Sequence, residues 1–292
     1  MKPMLAVPSK GGNTTAGLEG WIADLKLDGL RCIADWDGRE VTLTNRNEVD
    51  ITRKFPDVEV VIARALAGWG PTTIDGEIIA NDGTFTSVAT RGKQEKDAAI
   101  AKALTDLPVT FVQFDTMRFD GQDITDLPLL LRRERAFAGI AQVLSHGDAA
   151  WFFEQVKSQG LEGIIAKDPM GRYHWGKRFP GWVKVKAVRT VTVVITGYDL
   201  GKGARAHFGA AHLKMLDGST VVDVGRVGTG FTDAEIRWLK AELDAGRPVV
   251  TEIECLNRTA DNKLRFPVYL GTRTDLSVGA ATIDQLSDLP IC

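Results

Sequence analysis

Apolar and polar residues alternate in short runs along much of the chain, which is the pattern of β-strands with one buried face. The first clear run predicts that Lys26 and Asp28 project from the same face near the end of a strand. The dipeptide Asp37-Gly38 lies between two further runs and predicts a two-residue hairpin turn. An unbulged hairpin centred there would carry Arg46 back beside Lys26 and Asp28.

Helices and strands then follow one another up to about residue 187. Apolar residues at helical spacing from Phe55 to Trp69 predict a helix that ends near Gly68. The other predictions for this part are strands at 72–80, 111–117, 163–166 and 182–186, helices at 129–144 and 151–159, and an exposed loop at 81–97 that carries Arg91, Lys93 and Lys96. Strands and helices that alternate without a strict repeat are typical of an α+β domain.

The pattern changes after Lys186 and becomes rich in β-branched residues. Strands are predicted at 188–198, 208–216, 221–227, 249–256 and 268–272, with a loop that begins at 201–203. A capping box at Thr232 and Glu235 predicts a helix between the third and fourth strands. Five strands with one helix in that place indicate an OB-fold, with an SH3-like barrel as the main alternative. We therefore expect two domains, 1–187 and 188–292.

The composition is that of an ordinary soluble globular protein. The 292 residues are 44% hydrophobic and 25% charged, and no apolar run is long enough to cross a membrane. The N-terminus lacks the apolar core of a signal peptide. The three cysteines, Cys32, Cys255 and Cys292, are far apart, which favours reduced thiols and argues against a zinc finger. We expect a cytoplasmic monomer without a membrane partner.

The formal net charge of −2 does not indicate a nucleic-acid binder, but one stretch is locally basic. Residues 162–189 contain seven basic side chains against Glu162 and Asp168. The basic residues are Lys167, Arg172, Lys177, Arg178, Lys184, Lys186 and Arg189. A solvated protein face would have the same charges, whereas the aromatic residues interleaved between them favour contact with nucleic acid.

Lysine and carboxylate at the end of one strand suit a lysine nucleophile. Two arginines, Arg31 and Arg46, are predicted to lie close to Lys26 and Asp28, and such a group suits the handling of phosphate. The alternative for an isolated pair is a surface lysine that neighbours a surface aspartate. Further motifs along the chain decide between the two interpretations.

A series of short motifs resembles, in order, the motifs of the covalent nucleotidyltransferases, which include DNA ligases, RNA ligases and mRNA capping enzymes. The matching segments are Lys26-Leu27-Asp28-Gly29-Leu30-Arg31, Thr44-Asn45-Arg46-Asn47, Asp75-Gly76-Glu77, Phe114-Asp115, Glu162-Gly163-Ile164-Ile165-Ala166-Lys167 and Trp182-Val183-Lys184-Val185-Lys186. The opening Lys2-Pro3-Met4-Leu5-Ala6 and the later Arg265-Phe266-Pro267 resemble segments of ATP-dependent DNA ligases. The resemblance covers nearly the whole chain.

This resemblance implies a nucleotidyltransferase domain of the ATP-grasp-like ligase type, followed by an OB-fold β-barrel that binds DNA. The implied activity is that of a minimal two-domain ATP-dependent DNA ligase, which seals nicks in duplex DNA through lysyl-AMP, with ATP and Mg²⁺ or Mn²⁺. Such an enzyme would serve DNA replication, repair and recombination. The alternatives are an RNA ligase or a capping-type nucleotidyltransferase, and a non-catalytic nucleic-acid-binding OB protein. NAD dependence is not expected, because no nicotinamide-recognition segment precedes the lysine.

The resemblance also implies roles for individual residues. The catalytic residues would be Lys26, as the nucleophile, with Asp28, Lys184 and Lys186. The nucleotide would contact Leu25, Arg31, Arg46, Glu77, Phe114, Glu162 and Arg273, with Phe114 stacked on adenine and Glu77 on the ribose. The metal ligands would come from Asp28, Glu77 and Glu162. One departure is Leu276, which follows Arg273-Thr274-Asp275 where the family usually has lysine, in a motif that by resemblance helps to orient the pyrophosphate.

Overall fold

The computed structural model describes residues 2–10, 13–201, 207–287 and 289–291. The chain divides into two compact units. The first comprises residues 1–156 and 162–186, and the second comprises 157–161 and 187–292. No helix in the described part of the chain is both long and apolar enough to cross a membrane.

The first unit combines two β-sheets with five α-helices among its described residues. Its strands are β1 (Leu5–Pro8), β2 (Ile22–Leu25), β3 (Leu30–Trp36), β4 (Val41–Asn45), β5 (Thr72–Ala80), β6 (Val109–Phe119), β7 (Gln122–Asp123), β8 (Ala141–Gln142), β9 (Ser145–His146), β10 (Gly163–Lys167) and β11 (Arg178–Lys186). Its α-helices are α1 (Pro56–Leu66), α2 (Phe85–Gly92), α3 (Asp97–Asp106), α4 (Leu129–Arg133) and α5 (Ala149–Ser158), the last of which reaches into the second unit.

The two sheets of the first unit share one apolar layer. One sheet has the order β1-β11-β10-β2-β9, and the other has the order β4-β3-β5-β6-β7, with β8 beside β6. Pairing is antiparallel except between β1 and β11 and between β6 and β8. Ile33 and Phe114 of one sheet and Trp182 of the other belong to a single buried cluster. This layer supports the apolar wall of the site described below.

A second core lies on the far side of the β3-β5 sheet. Helix α1 has Pro56 in its first turn, where a backbone N–H has no partner within the helix and proline's lack of one costs nothing. The helix buries Val58, Ile62 and Leu66. These residues recur at helical spacing and pack with Phe55 in one buried cluster. The predicted helix is thus confirmed, although Trp69 lies beyond its end.

The hairpin at Asp37 has a different register from the predicted one. The Asp37 carboxylate accepts hydrogen bonds from the backbone N–H groups of Arg39 and Glu40, at 2.7 and 2.8 Å, and this closes a longer turn. A two-residue turn at Asp37-Gly38 would place Cys32 opposite Leu43, whereas Cys32 lies opposite Asn45, a shift of two residues. Because the shift is even, each side chain keeps its face of the sheet.

Two further predictions of local structure were wrong. The helix predicted at 129–144 ends at Arg133, and turns with β8 and β9 follow it. Gly139 in this segment has φ +87°, which a helix does not contain. The exposed loop predicted at 81–97 contains helix α2, capped where the Thr84 side chain accepts from the Ser87 N–H. Arg91 is buried and ion-paired with Asp57.

Over its described residues, the second unit is an antiparallel sheet with one α-helix. Its strands are β12 (Arg189–Tyr198), β13 (Ala211–Asp217), β14 (Thr220–Val227), β15 (Val249–Cys255) and β16 (Val268–Thr272), and its helix is α6 (Asp233–Asp244). The capping box is present in full, with Thr232 and Glu235 bonding each other's backbone N–H groups. The sheet order is β14-β13-β12-β15-β16.

This order leaves β14 and β16 as the two edges among the described strand pairs, so the sheet forms a half-barrel. Helix α6 lies between the third and fourth strands in the chain, as predicted. The loop predicted to begin at 201–203 falls mostly outside the described residues.

Candidate active site

A cavity of about 200 Å³ in the first unit is lined by residues from both sheets. Six of the residues predicted for the site line it, although they come from five separate segments of the chain. They are Leu25, Lys26, Arg31, Arg46, Glu77 and Phe114. The fold therefore gathers in one place the motifs that the sequence keeps apart.

Lys26 lies just beyond the end of β2, where the chain turns into the cavity. Strand β2 ends at Leu25, and the Lys26 N–H donates to the Gly163 carbonyl at 2.9 Å. Its ammonium group forms an ion pair with Glu162, and both side chains are about one-fifth exposed. The alternation expected for Lys26 and Asp28 does not hold, because the strand has ended. Asp28 is exposed and is not among the residues that line the cavity.

Lys184 and Lys186 lie on β11, next to the strand that follows Glu162. Lys184 is opposite Ile165 and Lys186 is opposite Gly163 in the antiparallel pairing of β10 with β11. The pKa of Lys184 is lowered, first by partial burial and then by the positive charges of Lys186, Arg178 and Lys26. Several cations therefore lie close to Lys184 in this part of the site.

Arg31 is held in place by a closed ring of hydrogen bonds. Its guanidinium donates twice to Asp75, at 2.6 Å each, and once to the Met4 carbonyl at 3.2 Å. The Tyr173 hydroxyl donates to Asp75 at 2.7 Å and accepts from the Met4 N–H at 3.0 Å. Arg31 therefore has two of its three nitrogens engaged, and its orientation at the cavity wall is fixed. Sequence reasoning did not find Tyr173, which lies 98 positions from Asp75.

Phe114 forms the aromatic wall of the cavity together with Trp182. The two rings meet edge to face with centroids 6.0 Å apart. The guanidinium carbon of Arg31 lies 4.5 Å from the Phe114 centroid, and the ammonium of Lys167 lies 4.4 Å from it. Two cations therefore lie over the Phe114 ring.

Glu77 faces the cavity from β5 and is half-buried. Burial raises the pKa of Glu77 to about 7, and the nearby cations Arg31 and Lys26 offset part of this effect. The Asp75 and Asp28 charges act in the same direction as burial. Glu77 can therefore exist with or without its proton near neutral pH.

Glu162 is the residue that best fits a divalent cation. Its Oε2 atom is buried and has no hydrogen-bond partner among the described residues, while Oε1 binds Lys26. No group of three potential metal-ligating side chains is assembled in the part of the chain that the structure describes. Mg²⁺ is commonly held by one or two carboxylates together with substrate phosphates, so a single oriented carboxylate is compatible with it.

Arg273 lies in the second unit, where two carboxylates hold it. It donates to both oxygens of Asp275, at 2.8 and 2.7 Å, and also contacts Glu252 on β15. The cavity described above belongs to the first unit and does not include Arg273.

Three charged residues near the cavity were not predicted as site residues, although one of them, Lys167, lies in a motif quoted above. Asp24 and Lys167 line the cavity and form an ion pair, and Arg133 on α4 binds the same aspartate. Asp24 lies on β2, two positions before Lys26, which would have been a usable signal. Arg133 gave none, because the segment around it was predicted to continue as a helix.

Residues 3–186 match the family model described as the ATP dependent DNA ligase domain. The chain is 30% identical to the DNA ligase of Natronomonas pharaonis over 98% of its own length and 59% of that protein. It is 34% identical to a probable DNA ligase of Mycobacterium marinum, over 82% of this chain and 50% of that one. The chain thus spans between half and three-fifths of the length of these two relatives.

Solved structures agree with these relatives. The ligase domain of M. tuberculosis LigD is 25% identical, with a TM-score of 0.56 over 97% of this chain and 98% of that one. A mycobacterial DNA ligase D complexed with ATP and MES is 26% identical, with a TM-score of 0.55 and the same coverage. From the family match, the curated relatives and the gathered motifs, we conclude that this chain belongs to the ATP-dependent DNA ligase family.

Proposed function

We propose that this protein is an ATP-dependent DNA ligase that seals nicks between a 3′-hydroxyl and a 5′-phosphate in duplex DNA. The observation that carries the proposal is the position of Lys26. It lies at the wall of a cavity that also presents Phe114 and Glu77, and it is paired with Glu162. The complex of the related ligase D with ATP supports ATP as the nucleotide.

In the first step, the Lys26 nitrogen attacks the α-phosphate of ATP. A bond forms between nitrogen and phosphorus, the bond to pyrophosphate breaks, and one proton then leaves the nitrogen for solvent; before this attack the Lys26 ammonium must itself lose a proton to solvent. The cations of Lys184 and Lys186 favour loss of that proton and also neutralise charge on the phosphate. Transfer of AMP to the 5′-phosphate and displacement of AMP by the 3′-hydroxyl would complete sealing.

Mg²⁺ or Mn²⁺ would be held at Glu162, whose buried Oε2 is free to bind it. Glu77 and Asp28 remain the other predicted ligands, and Glu77 faces the cavity that Lys26 also lines. Such an ion supplies positive charge to the phosphates during transfer. Arg46 is exposed at the cavity, with no ion pair among the described residues, and is suited to bind a phosphate.

We further propose that the first unit, close to residues 1–187, is the adenylyltransferase domain and that residues 188–292 form a DNA-binding OB-fold. Support for the OB-fold comes from five antiparallel strands and from a helix between the third and fourth of them. Arg172, Lys177 and Arg178 of the basic stretch are exposed and suited to DNA phosphates. The protein would act inside the cell as a monomer in replication, repair or recombination.

The test is to incubate the protein with ATP labelled at the α-phosphate and magnesium, and then to offer nicked DNA and nicked RNA duplexes. We expect one AMP per chain, lost in Lys26→Ala and kept in the control Lys102→Ala on the exposed face of α3. We also expect sealing of the DNA nick. An undiminished adduct in Lys26→Ala contradicts the assignment of the nucleophile. Sealing of RNA alone, or an adduct formed only with GTP, would favour the RNA ligase or capping-type alternative.

A further inference from the structure

Three charged side chains form a line from helix α4 to the aromatic wall of the cavity. Arg133 Nη1 donates to Asp24 Oδ1 at 2.7 Å, and Lys167 Nζ lies 2.6 Å from Asp24 Oδ2. The side chains of Asp24 and Lys167 are 3% and 2% exposed, and that of Arg133 is 18% exposed. Asp24 and Lys167 line the cavity, whereas Arg133 is not among its lining residues.

Lys167 is held against two aromatic rings. Its ammonium lies 4.4 Å from the Phe114 centroid and 4.0 Å from the Trp182 centroid. Burial lowers the pKa of Lys167, and the Asp24 carboxylate acts against this effect. A buried ammonium that loses its counter-charge is costly, so its position and its proton both depend on Asp24.

Asp24 serves two cations at once, one through each oxygen. Its strand partner Ser145 on β9 also accepts from Arg133 Nη2, at 3.1 Å. Arg133 therefore spans two adjacent strands and fixes the rotation of the Asp24 carboxylate. Without Arg133, both carboxylate oxygens would be free to turn towards Lys167 and draw its ammonium away from the rings.

The neighbouring arginine has a different function. Arg132 is fully buried, binds both oxygens of Asp115 at 2.8 and 2.7 Å, and donates to the carbonyls of Leu127 and Gly171. It anchors α4 to β6 and does not reach the cavity lining. On helix α4, Arg132 therefore stabilises the fold, whereas Arg133 binds Asp24.

We infer that Arg133 is a positioning residue for ATP binding, which acts through Asp24 to hold the Lys167 ammonium at the aromatic wall of the nucleotide pocket. The inference rests on the proposed function only in taking ATP as the ligand of this cavity. Arg133 itself does not contact the ligand, so its loss should weaken nucleotide binding and leave the chemical step nearly unchanged.

The test compares Arg133→Gln and Arg133→Lys with the control Arg53→Gln. Arg53 forms an Arg–Asp pair of similar length, 2.6 Å to Asp97, but both side chains are mostly exposed. Single-turnover adenylylation of Lys26 is followed against ATP concentration. Here KM is the half-saturating ATP concentration and kcat is the limiting initial rate per chain. We expect Arg133→Gln to raise KM for ATP roughly tenfold with kcat within about twofold, and Arg133→Lys to give an intermediate increase. Arg53→Gln should leave both constants unchanged.

A second measurement separates this inference from the proposed function. Calorimetric titration with α,β-methylene-ATP, which cannot transfer AMP, should show the same rank order in Kd. If the wild-type chain binds this analogue but forms no adduct, the proposed function fails and the Kd comparison still tests Arg133. If wild type binds neither ATP nor the analogue, both are overturned.

The variants also distinguish positioning from a purely structural role. A structural role would lower the melting temperature and the active fraction, and hence kcat, with KM unchanged. A folded Arg133→Gln protein with wild-type KM and Kd therefore overturns the inference. If Arg133→Gln shows no cooperative unfolding transition, the test rests on Arg133→Lys. An unchanged KM and Kd in Arg133→Lys would then overturn the inference.

Discussion

At the scale of single residues, Glu77 shows how partial burial changes one carboxyl group. Its pKa is raised to about 7, so between about pH 4.5 and 7 the folded chain keeps a proton that the unfolded chain has lost. The free energy of unfolding should therefore fall as pH rises through this window, by at most about 3 kcal/mol.

Glu77→Gln should remove this dependence. Urea denaturation without divalent cations, at about pH 5 and about pH 8, should show a smaller loss of stability with pH in the variant than in the wild-type chain. The exposed Glu40→Gln is the matched control and should keep the wild-type dependence. Equal pH slopes in Glu77→Gln and wild type would mean that burial does not govern this carboxyl group.

Arg273 is the second residue with a separable effect. The guanidinium N–H groups of Arg273 bind the carboxylates of Glu252 and Asp275. The same N–H groups could bind the oxygens of a pyrophosphate, which are also anionic. Arg273→Ala should reduce Lys26 adenylylation roughly ten- to hundredfold, because pyrophosphate leaves only in that step. Sealing of a nick that already carries 5′-AMP should be retained.

Single-turnover sealing of such pre-adenylylated nicks provides the comparison. Arg46→Ala should damage this reaction, since Arg46 lines the cavity and is proposed to bind a phosphate. If Arg273→Ala seals as poorly as Arg46→Ala, then Arg273 is a structural or DNA-binding residue of the second unit. The absence of lysine at Leu276 would then have no bearing on pyrophosphate.

At the scale of elements, local chemistry fixed some boundaries and tertiary contacts fixed others. Strand β5 matches its prediction at both ends, and the capping box of α6 is present as the sequence indicated. The turn at Asp37 differs because the aspartate side chain bonds two backbone amides, which lengthens a turn that Asp-Gly alone would keep short. The helix beginning at Leu129 ends early, and Gly139 and the edge strands follow.

Candidate site residues could be predicted from the sequence where they lie in motifs. They could not be predicted where only contacts between distant segments bring them to the site. Lys26, Glu77 and Phe114 could be named because each lies in a recognisable motif. The bonds from Tyr173 to Asp75 and from Arg133 to Asp24 join residues 98 and 109 positions apart. No local pattern encodes such pairs, since they depend on the packing of elements that are remote in the chain.

Helix α6 offers a test at this scale. Thr232→Ala removes the side chain that accepts from the Glu235 N–H and should cost about 1 kcal/mol of unfolding free energy. Thr220→Ala, at an exposed strand end without a capping role, should change stability by less than about 0.5 kcal/mol. Thermal unfolding followed by circular dichroism measures both, and equal losses would show that the cap contributes little.

At the scale of the whole molecule, a net charge of −2 coexists with a basic stretch. Replacing Arg172, Lys177 and Arg178 together by glutamine should weaken binding of nicked DNA. The slope of log affinity against log salt should become shallower by up to about 2.7, which is three contacts at about 0.9 each. Fluorescence anisotropy over a salt series measures this slope.

The matched control changes three exposed basic residues elsewhere, Arg39, Arg64 and Lys102, to glutamine. It removes the same total charge and should leave the slope nearly unchanged. If both triple variants lose the same slope, affinity reflects net charge and not a DNA-binding surface in the basic stretch.

The hydrogen-bond ring around Arg31 has a consequence for the order of folding. It joins Met4 to Tyr173, which are 169 positions apart, and β1 runs parallel to β11. Closing so long a stretch of chain has an entropic cost that β3, β4 and β5, with their nearer partners, do not bear to the same extent. We therefore expect the β3-β5 sheet to form first and the β1-β11 pair last, with pulsed hydrogen exchange showing the β1 amides protected after those of β3. Earlier protection of β1 would contradict this order.

Because the pairing of β1 with β11 completes the cavity, a growing chain acquires its nucleotide pocket only once β11 has been synthesised. ATP therefore stabilises only the completed first unit.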